Sequence, residues 1–279
     1  MVPLDPEYAE TLGSPFISFI DLLMMNKHYN CTEKCTPDTS AKCKNDGFPN
    51  PRNCSECICP GGYGGPLCKD RPEGCGAILV AESDPLEFQD TVGNNRAGRK
   101  PREDFNMCHY WIKAPVGKKV VVELLSFSPY GIAVDGCIYG GVEFKWQEDQ
   151  RLTGSRYCST EDANTILTST SNIMPIITYN RIYESITRIR DMNWLPADSQ
   201  TVDLSDGMGE SNETPDRYPT ACAGKMELGD LNDVSLVPIR VGRFQDGWQG
   251  QFLPGTAEII DTYNLPYDYG SIMQYGGIR

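Results

Sequence analysis

The side chains able to do chemistry are few and unevenly spread. The 279 residues hold two histidines, His28 and His109, and twelve cysteines, eight of them between Cys31 and Cys75 and then only Cys108, Cys137, Cys158 and Cys222. Cys54, Cys57 and Cys59 form a C-x-x-C-x-C run. Thiolates so spaced could hold a zinc ion, or the sulfurs could be half of a disulfide framework. The Gly61-Gly62-Tyr63-Gly64 turn that follows, and the density of cysteine, favour disulfides and an oxidising compartment. His28 reads as a partly exposed residue at a helix end, and His109 as a strand residue beside Cys108.

The elements that must hold these residues change along the chain. Residues 13–29 carry a helix signature in which Ser14 caps, Pro15 takes the first helical position, and Phe16, Ile20, Leu23 and Lys27 share a face, with an end near Tyr29. That apolar face has no partner in its own segment, so its stability must come from packing elsewhere. Residues 31–70 are too poor in aliphatic side chains to build a core that outweighs chain entropy, so cross-links must do so. From Cys75 to Arg190, short β-prone runs such as Lys119–Leu125 and Ile173–Tyr179 alternate with turn clusters, the pattern of an all-β sandwich. Residues 191–235 are predicted to be a disordered linker, and the aromatic, glycine-rich text resumes beyond it.

Several runs are recognisable. Cys59-Pro-Gly-Gly-Tyr-Gly-Gly-Pro-Leu-Cys68 and the cysteines before it resemble an EGF-like module, and residues 75–190 resemble a CUB domain. Leu265-Pro-Tyr-Asp-Tyr-Gly-Ser-Ile-Met-Gln-Tyr-Gly276 is similar to the Met-turn of the astacin family of zinc metalloendopeptidases, and Asp246–Phe252 to the segment before it. Residues 1–31 resemble the end of the same catalytic domain. The architecture resembles the nematode type. The implied layout is a catalytic-domain tail at 1–31, EGF-like 32–70, CUB 75–190, a linker 191–235 and a catalytic fragment with the Met-turn at 236–279. The fold class is mainly β and multi-domain, with partial α+β fragments flanking a disulfide-rich module and a sandwich.

The resemblance also implies roles. The EGF-like bridges would be Cys35–Cys54, Cys43–Cys57 and Cys59–Cys68, and the CUB bridges Cys75–Cys108 and Cys137–Cys158. Cys31 and Cys222 are left unassigned. Met273 would lie beneath a zinc site and Tyr275 would be a zinc ligand. Yet the family's H-E-x-x-H-x-x-G-x-x-H motif is absent, and two histidines cannot supply three imidazoles. Zinc is the family's cofactor, but this chain is expected neither to hold it stably nor to catalyse hydrolysis, which leaves Tyr275 an orphaned ligand and the catalytic list empty. Calcium is not expected either: Asn30, Thr32 and Glu33 lack the acidic pattern of calcium-binding EGF modules, and Gly140 stands where CUB domains place an acidic residue.

In the family the Met-turn precedes the text of residues 1–31, whereas here it follows the EGF and CUB region. We favour a join between the tail of one copy and a damaged piece of a neighbouring copy, as a tandem locus or faulty gene model would produce. The alternative, that the two ends meet in space as a permuted partial lobe, would lack the sheet and helix that such a lobe packs against.

Composition limits the partners. A net charge of -13 excludes nucleic acid, and Arg96–Arg102 reads as a solvated loop. No run reaches the roughly 18 apolar residues of a membrane span, and no export signal opens the chain. A secreted protein that contacts extracellular or matrix proteins is the expectation, with glycosylation candidates at Asn30, Asn53 and Asn212.

Overall fold

The computed structural model describes residues 3, 5–81, 85–98, 100–128, 133–196 and 261–271. Among the described residues one α-helix, α1 (Phe19–His28), is followed by eleven strands: β1 (Phe48–Asn50), β2 (Asn53–Ile58), β3 (Ile78–Val80), β4 (Glu87–Gly93), β5 (Asn106–Lys113), β6 (Lys118–Ser128), β7 (Gly140–Phe144), β8 (Ser155–Tyr157), β9 (Thr165–Thr168), β10 (Ile173–Asn180) and β11 (Glu184–Pro196). The fold is mainly β, with several sheets.

α1 starts four residues after Pro15, not at it. Ser18 is the N-cap: its Oγ accepts from Asp21 N at 3.1 Å, while Asp21 Oδ2 accepts from Ser18 N at 2.9 Å. This reciprocal pair satisfies two orphan groups of the first turn, whereas Ser14 uses its hydroxyl on Phe16 N. Phe16 therefore lies outside the helix, where its ring meets Phe105 and Tyr179.

β1 and β2 form a small antiparallel hairpin. Three disulfides hold the segment around it: Cys35–Cys54, Cys43–Cys57 and Cys59–Cys68. In the order β3-β5-β10-β7-β8 a five-stranded sheet faces a four-stranded one ordered β4-β11-β6-β9. Their facing side chains, among them Ile112, Val120, Val122, Leu124, Phe127, Val142, Met174, Ile176 and Ile189, make one buried core. Cys75–Cys108 and Cys137–Cys158 are bridged here too.

β6 shows how the alternation is kept and then broken. Val120, Val122 and Leu124 point into the core at period two, but the next inward residue is Phe127. Pairing with β11 jumps from Ile189 opposite Leu124 to Arg188 opposite Ser126, so Leu125 is the extra residue of a bulge that reverses the parity. β11 also runs further than composition suggests. Residues 191–196, expected to open the linker, stay paired with β6, from Asp191 opposite Val122 to Pro196 opposite Lys118. Their backbone groups find ladder partners, which outweighs the polar look of the text. The remainder of the expected linker lies outside the described residues.

β10 is buried from Met174 to Asn180 with no exposed alternate position. Its inward set includes Met174 and Ile176. Its other face is also covered: a Cβ on Gly62 would come within 2.9 Å of Pro175, one on Gly61 within 3.6 Å of Ile177, and Phe16 packs on Tyr179. Something therefore lies across the outside of this sheet.

Candidate functional site

The covering layer is the N-terminal segment together with the cysteine-rich segment, and between them and the sheet lies a cleft of about 240 Å³ lined by Phe16, Phe19, His109, Glu143, Lys145 and Ile177. Glu143 of β7 and Arg156 of β8 pair beneath it, Nε to Oε2 at 2.9 Å, with 5% and 3% of their surfaces exposed. Neighbours add further bonds to both residues. Glu143 Oε1 accepts from Gly154 N at 2.9 Å, Arg156 Nη1 donates to Ser14 Oγ at 2.6 Å, and Arg156 N donates to Thr11 Oγ1 at 3.0 Å. The guanidinium also lies 4.9 Å from the centre of the Phe16 ring.

The N-terminal segment is tied down along its length. Glu10 Oε2 accepts from Cys158 N at 2.9 Å, and Tyr157 Oη donates to Glu7 Oε2. Gly136, at φ 75°, lies so close to Gly13 that a Cβ would overlap the Gly13 carbonyl oxygen. Lys145 is fully buried and donates to the Gln150 carbonyl at 2.6 Å, and burial pulls its ammonium pKa down. His109 on β5 is likewise pushed down, by burial first and then by the Arg71 charge.

The other end of the described chain joins the same seam. Tyr269 stacks on Tyr8 with ring centres 4.7 Å apart. Leu265 enters a cluster with Phe19, Ile20, Leu23 and Phe48, so the apolar face of α1 finds its partners in β1 and in residues 261–271. Ser271 Oγ donates to Asp21 Oδ1 at 2.6 Å, and Lys27 Nζ to the Tyr263 carbonyl at 3.0 Å. Asp268 accepts from Thr153 N and Thr153 Oγ1, both at 3.1 Å, and burial raises its carboxyl pKa. The N-terminal segment and residues 261–271 therefore meet in space, a contact compatible with either origin of the join. The outer face of the five-stranded sheet and the β1–β2 hairpin supply the surface on which they pack.

A second contact fixes the cysteine-rich segment. Trp111 of β5 donates from Nε1 to the Gly62 carbonyl at 2.8 Å and packs on Tyr63 and Cys68. Burial holds the Tyr63 phenol up at about 12. Within Arg96–Arg102, Arg102 is not merely solvated: its Nη2 donates to Asn180 O at 3.0 Å and to Asn180 Oδ1 at 2.8 Å.

His28 ends α1, with Nδ1 2.6 Å from Tyr263 Oη, whereas His109 lies within β5 of the sandwich. They belong to separate elements and share no metal-donor cluster. Among the described residues the groupings of possible donors are Glu10 with Cys137 and Cys158, and Asp90 with Cys75 and Cys108. In both, the sulfurs are joined to each other, so no thiolate is offered. This donor set does not fit zinc. Met273, Tyr275, Asn212 and Cys222 lie outside the described residues, and Cys31 has no disulfide partner among those described. Sequence reasoning missed Glu143, Arg156, Lys145 and Asp268. Their only signal was charged residues in otherwise apolar or glycine-rich runs.

The chain is 47% identical over 181 residues to the zinc metalloproteinase nas-31 of Caenorhabditis elegans, a span covering 65% of this chain and 29% of that protein. The chain is similar to nematode zinc metalloproteinases. With nas-32 of the same organism it shares 39% identity over 189 residues, 66% of this chain and 28% of that one. With nas-23 it shares 37% over 233 residues, 82% and 37% respectively. The chain thus spans well under half the length of these relatives. No family model matches it. The MASP-1 CUB2 domain bound to Ca2+ overlays 41% of this chain and 98% of that one at 12% identity with a TM-score of 0.26, too slight a likeness to carry an argument. No helix among the described residues is long and apolar enough to cross a membrane.

Proposed function

We propose that the chain belongs to the astacin-type zinc metalloproteinases, and that it serves as an extracellular protein-binding unit of EGF-like (32–70) and CUB (75–190) type that hydrolyses no peptide bond itself. Residues 1–31 and 236–279 correspond in this reading to pieces of the catalytic domain. The observation that carries the inactivity is the histidine supply: two imidazoles, one against Tyr263 and one in β5, where a zinc tripod needs three converging on one point. The similarity to nas-31 supports the family. The five disulfides among the described residues favour an oxidising, extracellular setting. With hydrolysis removed, what remains is surface, and matrix or other extracellular proteins are the partners this reading assigns.

The test is zinc content and cleavage of casein or a fluorogenic peptide by the oxidised, refolded chain. Less than stoichiometric zinc and no turnover are expected. Tightly held zinc with turnover would overturn the reading, and binding to immobilised matrix proteins checks its positive half.

A further inference from the structure

We propose that Asn53 is the site of an N-linked oligosaccharide, and that Asn30, which has the same triplet pattern, is not. This rests on the reading that the chain enters the secretory compartment.

Both asparagines are exposed and each is followed two residues later by a hydroxyl, as Asn30-Cys31-Thr32 and Asn53-Cys54-Ser55. Their local geometries differ. At Asn53, the side-chain carbonyl Oδ1 accepts from Ser55 Oγ at 2.7 Å and from Ser55 N at 3.3 Å, closing an Asx-turn at the start of β2. Asn53 Nδ2 makes no hydrogen bond among the described residues, so it points free beside an exposed Ser55 and Glu56. At Asn30 the backbone is left-handed, φ 53°, its side chain caps nothing, and Thr32 lies in a 3-10 helical turn with no bond to it.

The difference matters chemically. A hydroxyl donating to Oδ1 stabilises the negative charge that builds on that oxygen when a base of the oligosaccharide transferase takes a proton from Nδ2, and the resulting imidate-like nitrogen has an in-plane lone pair able to attack. The nitrogen then forms a bond to the anomeric carbon of a lipid pyrophosphate-linked oligosaccharide. The carbon–oxygen bond to pyrophosphate breaks with its electron pair leaving on the pyrophosphate, and the one proton lost from Nδ2 stays with the transferase base, so no oxidant or reductant is needed. Because the contact spans only two residues, it forms before the fold is complete. Cys54, between the two residues, is bridged to Cys35, which fixes this stretch on the outside of the hairpin.

The full chain, translated behind a cleavable export leader into microsomal vesicles, is read by gel mobility after protease protection selects translocated material. One endoglycosidase-sensitive step is expected to be lost in Asn53→Gln and Ser55→Ala, kept in Ser55→Thr, and unchanged in Asn30→Gln. Identical migration of translocated wild type and Asn53→Gln overturns the proposal, as does loss of a step in Asn30→Gln. The leader supplies translocation, so a negative result speaks against the site and not against the secreted reading.

Discussion

Tyr8 and Tyr269 stack with ring centres 4.7 Å apart, although they come from opposite ends of the described chain. Around them Leu265, Phe19, Ile20, Leu23 and Phe48 close an apolar cluster to which α1, β1 and the 261–271 segment each contribute. Neither end could bury its apolar face alone, so each serves as the other's core. Leu265→Ala should leave a cavity in this cluster and cost about 2–5 kcal/mol of local stability. Hydrogen exchange of α1 amides measures it, and unchanged protection there would show that the ends do not support each other.

The Glu143–Arg156 pair is buried under the N-terminal segment, with Glu143 Oε1 accepting from Gly154 N and Arg156 Nη1 donating to Ser14 Oγ. Removing one partner strands the other charge in a dry site. Arg156→Met should therefore destabilise by roughly 3–5 kcal/mol in urea denaturation, and Glu143→Gln together with Arg156→Met by less than Arg156→Met alone. A double variant as weak as the sum of both single variants would argue that the two charges do not interact.

Gly136 adopts φ 75° directly against Gly13. Gly136→Ala should be disruptive twice over, through a strained left-handed backbone and through the displaced N-terminal segment. The expected readout is faster proteolytic cleavage within residues 5–18 while the sandwich stays resistant.

Asp268 makes the seam pH-dependent. Its carboxyl pKa is raised above the ordinary value of about 3.9, so the folded state keeps a proton that the unfolded chain has released. Its contribution to stability is complete below the ordinary value and is lost as pH rises through the raised one. Asp268→Asn, neutral at every pH, should flatten that component. Stability curves for the two proteins should converge at acid pH and separate above it, with the variant the more stable; parallel curves would refute the assignment.

Trp111 bonds through Nε1 to Gly62 and packs on Tyr63 and Cys68, which joins the cysteine-rich segment to the sandwich. Trp111→Phe keeps most of the apolar contact but leaves the Gly62 carbonyl without its donor, at a cost of about 1–3 kcal/mol. Loss of the Cys43–Cys57 bridge, in a Cys43→Ala and Cys57→Ala double variant, should cost about 2–4 kcal/mol, confined to residues 31–70. Thermal unfolding followed by tryptophan fluorescence separates the two.

The chain's own text determined whatever depends on local pattern or on counting. Alternating Val120, Val122 and Leu124 mark a strand, cysteine density marks a cross-linked segment, and two histidines rule out a three-imidazole zinc site regardless of folding. The start of α1 and the reach of β11 were harder to read. One hydroxyl-carboxylate pair at Ser18 and Asp21 sets the first, and ladder bonds to a strand some seventy residues earlier set the second. Only the tertiary structure decided that both ends settle on one sheet. The apolar run of β10 looks the same whether one face or two are covered. Charged residues such as Glu143, Arg156 and Asp268 read as surface until the opposing segments arrive to desolvate and pair them.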